Sequence, residues 1–168
     1  MLIVSDTNIL SSFSAGGALD LLLRLFSDKS VQIPPAVEQE LSQGLTRGQD
    51  HLKTISQAIS EGKIQVLNLS AEEKNEAETL PARLNAGERE AIALTRNRNA
   101  RLLCNDKQAI RYCEQNNIQV LDLPFLLRQL WVRNISSQHT VDDVIHKMRV
   151  VESLQLSPKA LKSIFSPR

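Results

Sequence analysis

Cysteine is scarce in this chain: Cys104 and Cys113 are the only two in 168 residues. Their spacing matches no zinc or iron–sulfur ligand set, and each sits in an apolar or helical stretch. They read as free thiols of a reducing compartment, and a disulfide-rich scaffold is excluded. Excess charge of either sign is also missing, because 20 Lys and Arg against 19 Asp and Glu leave a net +1. No global basic field draws nucleic acid, so any such contact has to be local. No apolar stretch is long enough to span a bilayer. The N-terminus lacks the basic region and long apolar run of a secretory signal. Internal repeats and low-complexity linkers are absent too. The expectation is a cytoplasmic protein with no membrane contact.

What is present is an ordinary globular composition, 42% hydrophobic and 23% charged. The length suits one domain with a real core. Five short apolar runs read as buried strands: "LIVS", "VQIP", "IQVLNL", "RLLCN" and "IQVLDL". They are rich in Val, Ile and Leu without clean alternation, as a parallel sheet covered on both faces requires. Helical patterns lie between them in "GALDLLLRLF", "AVEQELSQ", "DHLKTISQAISEG", "NAGEREAIALTRNRN" and "DKQAIRYCEQNN". Pro35 suits a first helical turn, and Gly62 suits a C-terminal cap. Strands alternating with helices predict an α/β three-layer sandwich around a central parallel five-stranded sheet.

Beyond Leu123 the alternation stops. "PFLLRQLWVR", "VDDVIHKMRVVESL" and "SPKALKSIF" are helices with no strand between them. Val141, Val144, Ile145, Met148, Val151 and Leu154 form one apolar stripe. The expectation is a single domain over 1–168, with a core to about residue 130 and a helical C-terminal extension over 131–168.

The stretch "IVSDTNIL" ends an apolar run abruptly in a carboxylate, Asp6. In an open α/β sheet, ligands sit beyond the carboxyl ends of the strands. Asp6 ends the first strand and Asp106 ends the "RLLCN" strand, so both lie at that edge. Glu40, about a turn and a half into the helix after "VQIPP", and Glu88, in the first turn opened by "NAGE", lie near it too. Each acid also has a purely structural explanation. Asp6 caps a helix starting near Asn8, Asp106 one starting near Lys107, and Asn85 with Glu88 has capping-box spacing. Glu40 is then a solvated neighbour of Glu38. Taken together, four converging carboxylates need a cation. An all-oxygen set suits Mg²⁺ or Mn²⁺ rather than zinc. His51, His139 and His146 fall away from these positions and are expected to be solvated.

The ordered set "IVSDTNIL", "ALDLLLRLF", "IPPAVEQEL", "NAGEREAIAL" and "LLCNDKQAIRYCEQNNIQVLDLPFLL" resembles the PIN-domain ribonucleases, closest to the small prokaryotic VapC-like toxins. The resemblance runs from about Leu2 to about Leu130. It implies a PIN-like sheet with the Asp6 strand beside the Asp106 strand, and metal-dependent cleavage of RNA. Asp6, Glu40, Glu88 and Asp106 match the family's four acids as catalytic residues and metal ligands, with Glu40 either a ligand or a group that orients water. Glu90 competes with Glu88 for the third role. It points about 200° around the helix from Glu88, and position favours Glu88. Thr7 is expected to fix the Asp6 carboxylate or only to cap a helix, and Asn105 to accept from a metal-bound water. Lys107, Arg111 and Arg89 are candidate RNA phosphate contacts. The "RNRNAR" cluster lies away from the carboxyl edge.

Two departures stand out. Cys104 and Asn105 occupy positions where relatives often carry Thr and sometimes a further acid. Asp122 ends "IQVLDL" either as a cap for a helix starting near Phe125 or as a distal extra acid. The resemblance further implies a homodimer and a small antitoxin partner. The competing expectation is a PIN-fold module that binds RNA or protein and cuts little or nothing. A phosphotransferase with Asp6 as nucleophile is disfavoured, because Asn8 stands where one large such family has a second acid.

Overall fold

The short apolar runs assemble into one sheet in the order β3-β2-β1-β4-β5. The computed structural model describes residues 1–167. The strands are β1 (Ile3–Ser5), β2 (Val31–Ile33), β3 (Ile64–Val66), β4 (Arg101–Leu103) and β5 (Val120–Leu121). Every neighbouring pair is parallel, with Ile3 opposite both Val31 and Arg101 in the register. Between them run α1 (Thr7–Ala15), α2 (Leu19–Leu25), α3 (Pro35–Thr46), α4 (Lys53–Ser60), α5 (Ala71–Thr79), α6 (Ala86–Asn97) and α7 (Lys107–Gln115). A single 3-10 turn, Asp50–Leu52, precedes α4. The expected five-stranded α/β sandwich is what forms.

Side-chain alternation along each strand divides the core in two. Ile3, Val31, Ile33, Ile64 and Leu103 pack on one face with α1 to α4. Val4, Leu102 and Cys104 pack on the other, beneath Ile92, Leu94 and Ala109 of α6 and α7. The C-terminal helices α8 (Leu123–Val132), α9 (Gln138–Glu152) and α10 (Pro158–Phe165) join the first of these clusters. Their apolar stripe is buried at Val141, Val144, Ile145 and Met148. Of the other two stripe residues, Val151 is 49% exposed at the last turn of α9 and lines a cleft, and Leu154 lies past the helix end, partly buried against the same core. Gly16 lets α9 approach closely: a Cβ there would lie 2.8 Å from a Val144 methyl.

The helix α5, "AEEKNEAET", has almost no apolar periodicity and was not expected. It is specified instead by a capping box, Ser70 with Glu73, and by the ion pair of Glu73 with Arg98 at 2.7 Å. Among the described residues no helix is long and apolar enough to cross a membrane.

The chain runs outward from β1 through β2 to β3, then returns to place β4 on the other side of β1. That reversal opens a crevice beyond the carboxyl ends of β1 and β4. Asp6 directly follows β1, and its N–H donates to the Leu103 carbonyl at 3.0 Å, locking the two strand ends together.

Candidate active site

Each of the four acids comes to the crevice tied to the backbone. Asp6 caps α1, with Oδ1 accepting the Ile9 N–H at 2.9 Å. Asp106 caps α7, its Oδ1 accepting from Gln108 and Ala109, both at 2.9 Å. Glu88 closes a capping box at the start of α6: Oε2 accepts the Asn85 N–H at 3.0 Å while Asn85 accepts from Glu88 N–H at 2.8 Å. Glu40 bridges two helices, taking the Gly87 N–H at 3.0 Å on Oε1 and the Thr7 hydroxyl on Oε2, so Thr7 fixes Glu40 rather than Asp6 as expected. The caps foreseen for these residues exist, and they are compatible with a second role. Asp6, Asp106 and Glu88 each commit one oxygen to the cap, which leaves the other for a different partner.

Burial and mutual repulsion mark the cluster. Asp6 is 2% exposed, and its Oδ2 is buried with no hydrogen-bond partner. Burial chiefly pushes its carboxyl up to about 6, and the Asp106 charge adds to this. The Ile9 N–H, the Cys104 thiol and the Asn105 N–H pull the other way. Glu88 is pushed up to about 7, first by burial and then by the charges of Asp106, Asp6 and Glu40, against the Asn85 N–H. Glu88 thus feels all three other acids. The Cys104 thiol, raised far above its ordinary range by burial and by Asp6, stays protonated beside that carboxyl.

Among the described residues, no group of three or more His, Cys, Asp or Glu side chains is already gathered closely enough to enclose an ion. The donor set nevertheless suits a hard divalent cation. All four groups are carboxylates, they repel one another, and one buried oxygen lacks any partner. An orphaned buried carboxylate oxygen is costly unless something neutralises it.

The crevice continues into a cleft of about 1000 Å³, lined by Thr7, Glu40 and Asn105 beside the acids. Lys107 and Arg111 are exposed on the first turns of α7, next to Asp106. Arg89 is placed elsewhere: it lines a separate cavity of about 260 Å³ with Lys74 and Glu78, so the helix turns it away from the cleft. Glu90 also points away and accepts the Ala36 N–H at 2.8 Å, capping α3. Asp122 is the cap of α8, which starts at Leu123, and accepts from Phe125 N–H at 2.9 Å. In the basic cluster, Arg96 and Arg98 pair with Glu76 and Glu73 of α5.

His51 is not solvated as expected. Its side chain is 18% exposed, and Nε2 lies 3.0 Å from Ser11 Oγ and 3.5 Å from Glu152 Oε1. Ser11, His51 and Glu152 line the same cleft and were missed as site residues. One signal was legible: Ser11 follows Thr7 by four residues, the spacing of one helix face. Glu152 carried no signal, because only the fold of the C-terminal helices brings it there. His139 is exposed, within 3.6 Å of Asp143, and His146 is exposed as expected.

A family model described as a PIN domain matches residues 2–166. The chain belongs to the PIN-domain family. The match runs through α9 and α10. Nuclease or RNA-binding activity is what that membership implies in general. No curated protein and no solved structure gives a significant match.

Proposed function

We propose that this protein is an endoribonuclease that depends on Mg²⁺ or Mn²⁺. The observation that carries this reading is Asp6 Oδ2, buried without a partner at the strand switch point, in a crevice where Glu88 senses three other carboxylates. Asp6, Asp106 and Glu88 would hold the ion through the oxygens their caps leave open. When bound, such an ion supplies activation of water and neutralisation of charge on the phosphate ester. Thr7 and the Gly87 N–H fix Glu40, which serves as a further ligand or orients the attacking water. Cys104 and the Asn105 N–H offset part of the burial that favours the protonated form of Asp6. Lys107 and Arg111 offer cations to the RNA backbone beside an otherwise acidic crevice.

A toxin role, with a small antitoxin partner and a homodimeric assembly, is the finer part of this reading and rests on the resemblance to VapC-like proteins. A second reading, a PIN-fold module that binds without cutting, draws on Asn105 in place of an acid and on the spread of the four carboxylates. Incubating a mixed RNA pool with wild type and Asp6→Asn in Mg²⁺, Mn²⁺ and EDTA separates the two. Asn caps a helix about as well as Asp, so the variant folds. Metal-dependent cutting that the variant loses supports the nuclease. Equal cutting by both proteins, or none by wild type across many RNAs, contradicts it.

A further inference from the structure

The cleft extends past the acids along α1. Ser11 lies one helical turn beyond Thr7, about 6 Å on, the scale of one nucleotide step along a single strand. There the Ser11 hydroxyl donates to Glu152 Oε1, and the Ser12 hydroxyl to Oε2 at 2.8 Å. Ser14 donates to the His51 carbonyl and fixes the 3-10 turn against α1. Ser153, directly after Glu152, holds a left-handed backbone (φ 55°), which ends α9 at the cleft at some cost in strain.

These bonds tie α9 to α1, yet they use only part of Glu152. A carboxylate accepts about four hydrogen bonds, and the two serines fill one on each oxygen. Its side chain is 19% exposed and lines the cleft. The cleft lining contains Glu40, Asp50 and Glu152 but no Lys or Arg, which disfavours a phosphate at this position. His51 Nε2 stands 3.5 Å from Oε1 without filling it as a hydrogen-bond donor, so acceptor capacity remains on both oxygens and matches a nucleobase edge bearing two adjacent donors. Among the four bases of RNA only guanine has one, its N1–H and 2-amino group. Adenine and cytosine turn a ring-nitrogen acceptor toward the second oxygen, and uracil flanks its single N–H with carbonyls. Among the described residues, His51 is the one aromatic ring in the cleft lining against which a base could stack.

We propose that Ser11, His51 and Glu152 form a base-recognition subsite in which Glu152 selects guanine one nucleotide from the scissile phosphate. The subsite rests on the nuclease reading of the same cleft and names its substrate preference. Ser11 and Ser12 act as positioning residues, holding the carboxylate in its accepting orientation.

The test uses full-length protein carrying Asp6→Asn to suppress cleavage, in Mg²⁺. Fluorescence anisotropy compares oligouridylate strands holding one central guanine, inosine, adenine or cytosine. The guanine strand is expected to bind about tenfold tighter than the others. Inosine keeps N1–H but lacks the 2-amino group, so it is expected to lose most of that gain, a result independent of any further variant. Adding Glu152→Gln, with its melting curve checked, is expected to abolish the preference. Equal binding of all strands, no binding of any, inosine equal to guanine, or a preference that survives Glu152→Gln would overturn the proposal. Mapping wild-type cut sites separates its failure from that of the nuclease reading. Guanine-selective binding without cutting removes the nuclease alone, and cutting indifferent to guanine removes the subsite alone.

Discussion

Glu40 Oε1 sits 3.0 Å from the Gly87 backbone nitrogen, and there is no room for a side chain between them. A Cβ at Gly87 would lie 2.7 Å from both Glu40 carboxylate oxygens. The absence of a side chain on α6 therefore sets where an acid on α3 stands.

Gly87→Ala separates position from stability. Alanine favours the helix by up to about 1 kcal/mol over glycine, and the atoms it meets are the far end of a flexible side chain. Thermal melting is expected to change by less than about 1 kcal/mol. Cleavage is expected to fall at least tenfold as Glu40 is pushed out of place. Unchanged cleavage would mean that Glu40 has no part in the reaction.

Glu88 and Glu90, two residues apart, are predicted to fail in opposite ways. Glu90→Ala removes the acceptor for Ala36 N–H at the start of α3. The loss of such a cap costs about 1 kcal/mol, with cleavage retained. Glu88→Gln keeps an acceptor for the Asn85 N–H and removes a charge that its neighbours oppose. It is expected to keep or raise metal-free stability while losing metal binding and cleavage. Melting curves and cleavage rates on the two variants decide this. The reverse pattern would make Glu90 the third acid.

Stability without metal should fall as pH rises through the titration of Asp6 and Glu88. Their folded carboxyls hold protons up to about 6 and about 7, against ordinary values of 3.8 and 4.5. Between about pH 4 and pH 7 the folded state therefore binds more protons than the unfolded chain, so these groups stabilise at low pH and that contribution is lost on the way up. Each unit of difference corresponds to about 1.4 kcal/mol. A divalent ion binds the ionised forms and reverses the trend. The rise in melting temperature on adding Mn²⁺ should be larger at pH 8 than at pH 5, and equal rises would contradict the assignment.

Much of the site was legible in the chain because it is local. Asp6 and Asp106 announce themselves where apolar runs stop, and the Asn85–Glu88 box appears as a spacing. The adjacency of β1 and β4 was not in the residues themselves and came from resemblance. α5 escaped because it is held by caps and an Arg98 ion pair rather than by an apolar stripe. His51 and Glu152 escaped for a different reason. Their partners, Ser11 and Ser12, stand 40 and 140 residues away in the chain, and nothing local encodes such a meeting. The strands also proved shorter than the apolar runs, with β5 only two residues long, because the ends of those runs turn away to pack or to cap the next helix.

The central claim is that the four acids form one metal site organised by Asp6. Its most direct test is Mn²⁺ binding at pH 8, followed by calorimetry or by loss of the free-ion paramagnetic signal, on wild type and folded Asp6→Asn. Saturable binding by wild type that falls at least tenfold in the variant is the predicted result. Equal affinity in the two proteins, or no binding by wild type, would contradict it and leave Asp6 as the cap of α1.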